Sequence, residues 1–166
     1  MSHSKTSSIE QKQISLLWAG PETALEIAKI QAELEGPRWT KDDVQELLAN
    51  PCSNSLLVKV REKTENPAVT AGYIMARMIA DEVEILAIGV LKPFQKFGLG
   101  RGLIEGLIRA AKRAEASKMF LEVAHDNAPA IALYDSLGFI KTGRREAYYK
   151  KPDGNKVDAL MMTYTF

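Results

Sequence analysis

Gln95-Lys96-Phe97-Gly98-Leu99-Gly100-Arg101 is the stretch that decides how this chain reads. A strand-like run, Val83 to Leu91, precedes it, and a helical stripe of Leu103, Ile104, Leu107, Ile108, Ala111 and Ala114 follows. Glycines at such a junction let the backbone approach a ligand closely. The free N–H groups of the first helical turn then make an anion site. No acidic residue occurs from Ile85 through Ile104, whereas Lys92, Lys96 and Arg101 do. The local field is therefore positive, and a phosphate or pyrophosphate suits it. The same glycines also fit a loop that binds nothing. A Walker loop is excluded, because no Gly-Lys-Ser/Thr is present. A dinucleotide-binding turn would use Glu122, about 20 residues on. That fingerprint starts directly at a strand end, however, and Gly98 comes seven residues after Leu91.

Working outward, the N-terminal side opens with a strand at Ile14–Trp18 and a helix that begins near Pro21. Ala24, Ile27, Ala28, Ile30, Gln31 and Leu34 form its stripe, and Gly36-Pro37 stops it. Thr40 caps a second helix with Asp42 and Asp43 in its first turn and Val44, Leu47 and Leu48 on its buried face. Ser55–Arg61 alternates, with Leu56, Val58 and Val60 on one face. Val69–Ile79 alternates little, as expected of a central strand covered on both sides. With Val83–Leu91 these strands predict an antiparallel meander.

Beyond the helix, Met119–Val123 reads as a short strand reached by a parallel crossover. Asn127 caps a fourth helix that ends at Gly138. Phe139–Lys150 and Lys156–Phe166 form a hairpin around Pro152-Asp153-Gly154. The order predicts an α/β fold: one mixed, mostly antiparallel sheet of about seven strands with four helices on its faces.

Composition supports a single folded unit. The 166 residues are 46% apolar and 26% charged, which argues against disorder. Residues 1–11 are Ser-rich, lack apolar periodicity and are expected to be a disordered tail, leaving 12–166 as one domain. Lys plus Arg is 22 and Asp plus Glu is 21, so no global polycation binds nucleic acid by charge alone. A single cysteine, Cys52, and two distant histidines, His3 and His125, exclude a disulfide and argue against a metal centre. Met1–Ser15 has no apolar core of a secretory signal, and no run approaches the roughly 20 apolar residues of a membrane helix. A cytoplasmic location without membrane association is the expectation.

Gln95-x-x-Gly98-x-Gly100 resembles the acetyl-CoA pyrophosphate loop of the GCN5-related N-acetyltransferases (GNAT). Leu121-Glu122-Val123, followed by Asn127-x-x-Ala130-x-x-Leu133-Tyr134-x-x-x-Gly138-Phe139, is similar to the downstream half of that fold. Within the superfamily the chain is most similar to the ribosomal protein alanine N-acetyltransferases. Trp39-Thr40, Arg144-Arg145, Tyr148-Tyr149, Asp153-Gly154 and Asp158-Ala159 carry that likeness, over roughly residues 12 to 166. Arg38 and Lys96-Phe97 depart from the usual residues.

The resemblance implies a splay between the fourth and fifth strands that admits the pantetheine arm of acetyl-CoA. It implies Ile88, Gly89 and Val90 beside the pantetheine and acetyl group. Lys96, Phe97, Gly98, Leu99, Gly100 and Arg101 would hold the pyrophosphate, and Asn127 would contact the cofactor across the splay. No metal is implied. The acceptor would be a protein N-terminal α-amine, the favoured substrate being the N-terminal alanine of a small-subunit ribosomal protein.

Acetyl transfer to an amine needs a group that takes the acceptor's proton, a donor for the developing oxyanion and a proton for the departing thiolate. The family pattern implies Glu122 as base and Tyr134 as acid, with a backbone N–H of the fourth strand serving the oxyanion. Read without the family, Glu122 is a carboxylate at a solvated strand end and Tyr134 a packed tyrosine. Glu84 is a rival or assistant to Glu122. Trp39, Tyr148 and Tyr149 are candidates for the acceptor cleft, or simply loop and edge aromatics. His125 reads as a solvated loop residue. Two other functions stay open: acetylation of a lysine side chain or small amine, and a non-catalytic acyl-CoA-binding regulatory module. A pure binder would need neither Glu122 nor Tyr134.

Overall fold

The computed structural model describes residues 12–34, 39–63 and 65–166. Its elements are β1 (Gln13–Trp18), α1 (Ala24–Glu33), α2 (Lys41–Ala49), β2 (Leu56–Arg61), β3 (Val69–Ile79) and β4 (Glu82–Val90), followed by α3 (Leu99–Arg113), β5 (Lys118–Ala124), α4 (Ala128–Ser136), β6 (Ile140–Lys150) and β7 (Lys156–Thr165). The strands form one sheet in the order β1-β2-β3-β4-β5-β7-β6. Every neighbouring pair is antiparallel except β4 and β5.

Side-chain alternation sorts the sheet into two cores. Leu56, Val58 and Val60 join Val83, Ile85, Met119, Leu121 and Val123 beneath α3 and α4. On the opposite face Leu57, Tyr73 and Met75 pack against Ala24, Ile27 and Ile30 of α1 and Val44 and Leu48 of α2. Thus β2 is buried on both faces, where the sequence marked only one. The capping box at Thr40 forms as expected. The Asp43 N–H donates to Thr40 Oγ1 at 3.1 Å, and the Thr40 N–H donates to Asp43 Oδ2 at 2.8 Å. The expected tail at residues 1–11 and the Gly36-Pro37 stop lie outside the described residues.

Two irregularities shape the site. Opposite β3, Met75 faces Ala87 and Ala76 faces Ile85, so Leu86 is an extra residue in β4. Such a bulge bends its strand. Just there β4 parts from β5: their pairing runs only from Glu82–Lys118 to Ile85–Leu121. Beyond it β4 stays with β3 as far as Val90, and β5 stays with β7 as far as Ala124. The second irregularity lies in β6, where Glu146, Ala147 and Tyr148 bulge between the Arg145–Ala159 and Tyr149–Val157 pairs. Ala147 adopts φ +49°, and its N–H donates to Asp158 Oδ1 at 2.8 Å. Arg144 grips the same carboxylate.

The third helix starts at Leu99, before Gly100, with Gly98 as its N-cap at φ +79°. Among the described residues no helix is long and apolar enough to cross a membrane.

Candidate active site

The parted strands open a cleft of about 680 Å³ between β4, the turn before α3, and α4. Ile88, Gly89 and Val90 form one wall, Lys96, Gly98, Leu99, Gly100 and Arg101 one end, and Asn127 and Tyr134 lie opposite. Phe97 is the one candidate cofactor residue absent from this lining. Its side chain is 51% exposed. Lys96 at φ +66° and Gly98 at φ +79° bracket it, so the backbone reverses on both sides. Phe94, Pro129, Ala130 and Leu133 also line the cleft. Ala130, Leu133 and Tyr134 stand at i, i+3 and i+4, a spacing that marks one helix face in the sequence itself.

Gln95 holds the turn in place by donating from Nε2 to the Val90 carbonyl at 2.8 Å. The first intrahelical bond of α3 runs from the Gly102 N–H to the Gly98 carbonyl, 2.9 Å. The N–H groups of Leu99, Gly100 and Arg101 therefore have no acceptor within the helix, and its first turn holds no acid. The Arg101 side chain is committed elsewhere: it donates to Ser136 Oγ at 2.6 Å and lies 3.6 Å from Glu105. Arg101 thus offers the cleft its N–H more than its charge. Lys96 has no ion-pair partner among the described residues. Asn127 caps α4, its Oδ1 accepting from the Ala130 N–H at 3.3 Å.

Glu122 is the first β5 residue beyond the last β4 pairing. Leu121 and Val123 point into the core under α3 and α4, so alternation puts Glu122 on the other face of the sheet. It is absent from the cleft lining for that reason. Its Oε1 lies 2.7 Å from Arg145 Nε. The Tyr149 hydroxyl donates to the Glu122 carbonyl at 3.3 Å. The Arg145 guanidinium sits 5.4 Å from the Tyr148 ring centroid, and Tyr148 and Tyr149 meet edge-on at 5.1 Å.

Tyr134 is buried, its ring 5.7 Å from that of Phe139. Burial, with a smaller contribution from Tyr149, pushes its phenol up to about 12, so it keeps its proton throughout the neutral range. Tyr149 is raised too, by burial first and then by the Glu122 and Tyr148 charges.

Glu84 shares the sheet face of Glu122 but is occupied by Arg77 at 2.6 Å. Trp39 packs, partly buried, on the core of α1 and α2. The Arg145–Glu122 contact had no signal in the sequence beyond the Arg144-Arg145 pair. A turn with free N–H groups, a protonated phenol and a carboxylate where β4 and β5 part suit transfer of an acyl group from a pyrophosphate-bearing ligand on one face to an acceptor on the other.

Comparison with known proteins places the chain. The profile of the acetyltransferase (GNAT) family matches residues 24–139. The [ribosomal protein bS18]-alanine N-acetyltransferase of Escherichia coli (strain K12) is 39% identical over 92 residues, 55% of this chain. The match spans only 62% of that relative's length. The protein of the same description from Haemophilus ducreyi is 32% identical over 124 residues, 75% of this chain and 81% of its own. In structure, the ribosomal-protein-S18-alanine N-acetyltransferase of Escherichia coli superposes with a TM-score of 0.82 at 25% identity, covering 92% of this chain and 94% of its own. Arabidopsis thaliana NAA60 in complex with acetyl-CoA gives the same TM-score at 19% identity, over 93% and 99%, a likeness of fold alone.

Proposed function

The chain belongs to the acetyltransferase (GNAT) family, and we propose that it uses acetyl-CoA to acetylate the α-amine of a protein N-terminus. The N-terminal alanine of a small-subunit ribosomal protein is the favoured substrate. One observation carries this reading. The sheet parts at Ile85–Leu121, with the cleft lined by Lys96 and Gly98–Arg101 on one face and Glu122 on the other.

The residues present fit acetyl-CoA. The N–H groups of Leu99, Gly100 and Arg101, with Lys96, suit its pyrophosphate. The unpaired edge of β4 at Ile88, Gly89 and Val90 suits the amides of its pantetheine. Acetyl-CoA supplies an activated acetyl group and a thiol leaving group. Glu122 takes the proton that the acceptor ammonium sheds before its nitrogen attacks. Tyr134 gives its phenolic proton to the sulfur as the C–S bond breaks. Asn127 holds the first turn of α4 against the cleft. Tyr148, Tyr149 and Trp39 border the acceptor side, with Glu84 below them on the same face as Glu122. Residues 12–166 act as one domain.

Two relatives described as alanine N-acetyltransferases of ribosomal protein bS18 support the choice of acceptor. The test is incubation with acetyl-CoA and a panel of peptides, some with free N-terminal alanine and some with a blocked N-terminus and internal lysine. Mass spectrometry then maps the acetyl group. Acetylation of the alanine α-amine is expected; acetylation confined to lysine overturns the reading.

A further inference from the structure

We propose that Arg145 is a positioning residue that keeps the acceptor amine uncharged at Glu122. This rests on the reading of Glu122 as the group that receives the acceptor. A carboxylate that draws in an amine also favours the ammonium form, since an opposite charge within about 4–6 Å moves a pKa by roughly 1–3 units. The ammonium has no lone pair to attack with, so a bare carboxylate binds the acceptor in its unreactive state. A guanidinium is permanently charged, and here it lies 2.7 Å from Glu122 Oε1. It offsets the carboxylate's field on the acceptor nitrogen.

The fold invests in this placement. The three-residue bulge of β6 begins immediately after Arg145. Ala147 holds φ +49°, a conformation disfavoured for a residue with a Cβ, and its N–H is fixed by Asp158. The Tyr148 ring lies beneath the guanidinium. Three other cations are already paired. Arg144 is bound to Asp158, Lys151 to Asp126 and Arg77 to Glu84. His125 stands beside Asp126 and Asp158. Tyr134 and Tyr149 face the same region as neutral phenols.

The experiment measures kcat and KM for an Ala-initiated peptide from about pH 6.5 to about pH 9.5, a window that brackets the α-amine pKa of roughly 7.7–8.0. Wild type is compared with Arg145→Gln, Arg145→Met and Arg145→Lys. In the two uncharged variants the midpoint of the rise in kcat is expected to move up by about one unit. Below both midpoints kcat then falls about tenfold, and it recovers at the alkaline end. KM for the peptide falls at neutral pH, because the ammonium binds the bare carboxylate better. Arg145→Lys restores the wild-type midpoint. A peptide beginning with β-fluoroalanine, whose amine is less basic, loses less activity in the uncharged variants. An unchanged midpoint overturns the proposal, whether kcat stays at wild type or drops by one factor at every pH. The acceptor reading has its own control. Glu122→Gln with wild-type kcat at neutral pH sinks that reading and this proposal together. A slow Glu122→Gln with an unshifted Arg145→Gln sinks the proposal alone.

Discussion

A Cβ placed on Gly89 would lie 2.9 Å from Cε1 of Tyr73 and 2.8 Å from Cδ1 of Leu34. Tyr73 is the cross-strand partner of Gly89 and is buried, so its ring cannot swing aside into solvent. The glycine in the open strand is thus required from behind, by the core under α1. Gly89→Ala should destabilise the fold by about 1–3 kcal/mol, the usual range for overpacking. At this chain length that lowers Tm by several degrees, measured by thermal unfolding. An unchanged Tm would mean that Leu34 and Tyr73 move apart without cost.

The two glycines of the turn should separate stability from binding. Gly98 has open space around it but sits at φ +79°, so Gly98→Ala costs about 1 kcal/mol of stability. A Cβ on Gly100 would make only an ordinary contact, 3.7 Å from Leu133 Cδ2, within the first turn of α3. Gly100→Ala should raise the Tm of the free protein, by up to about 1 kcal/mol of helix propensity. It should also shrink the Tm increase caused by acetyl-CoA, and Gly100→Val should abolish it. NADH should shift neither protein. A full acetyl-CoA shift in Gly100→Val would move the pyrophosphate elsewhere.

Tyr134→Phe removes one hydroxyl and keeps the packing against Phe139. If the hydroxyl donates only in the transition state, kcat and kcat/KM fall together by roughly 10²–10⁴-fold while acetyl-CoA affinity stays near wild type. With the phenol at about 12, Tyr134 contributes no alkaline limb to the rate below about pH 10. Its folded pKa lies above its unfolded value of 10, so its stabilising effect is complete below pH 10 and fades as pH rises towards 12. Tyr134→Phe should soften that alkaline loss, read from urea unfolding at high pH.

Glu122→Gln should be slow at pH 7 and recover most of its kcat/KM by about pH 9, where most of an α-amine is already neutral. Neutralising an α-amine at pH 7 costs only about 1.4 kcal/mol, against roughly 4–5 for lysine. A lysine acceptor would therefore recover far less over the same window. Activity equal to wild type at pH 7 would remove Glu122 as the base. Inactivity at every pH in a folded variant would make it an organiser of the strand.

Local pattern carried most of the architecture. The α3 stripe, the Thr40 cap and the β6–β7 hairpin depend on neighbours within a few residues, and all three were readable. The site was less so, because two bulges build it. Nothing in the periodicity of Val83–Leu91 marks Leu86 as the extra residue at which β4 turns away. Likewise the Arg145–Glu122 contact needs the register of three strands plus the offset of residues 146–148, which no spacing rule supplies. Phe97 belongs to the same loop in sequence, yet it stands half exposed between two residues of left-handed backbone. Trp39, expected as a cleft or loop aromatic, packs partly buried on the core of α1 and α2, on the sheet face that carries Glu122.

The parting of β4 from β5 gives the free protein more than the usual two sheet borders. Besides β1 and β6, the backbone of β4 after Ile85 and of β5 after Leu121 lacks a partner strand on one side. Unpaired strand backbone invites pairing with other chains. A ligand lying along that gap does for the sheet what a missing strand would do. Supply of the acyl donor therefore bears on colloidal behaviour as well as on turnover: ligand-depleted protein should self-associate more readily, and amide hydrogens along the gap should exchange fastest there.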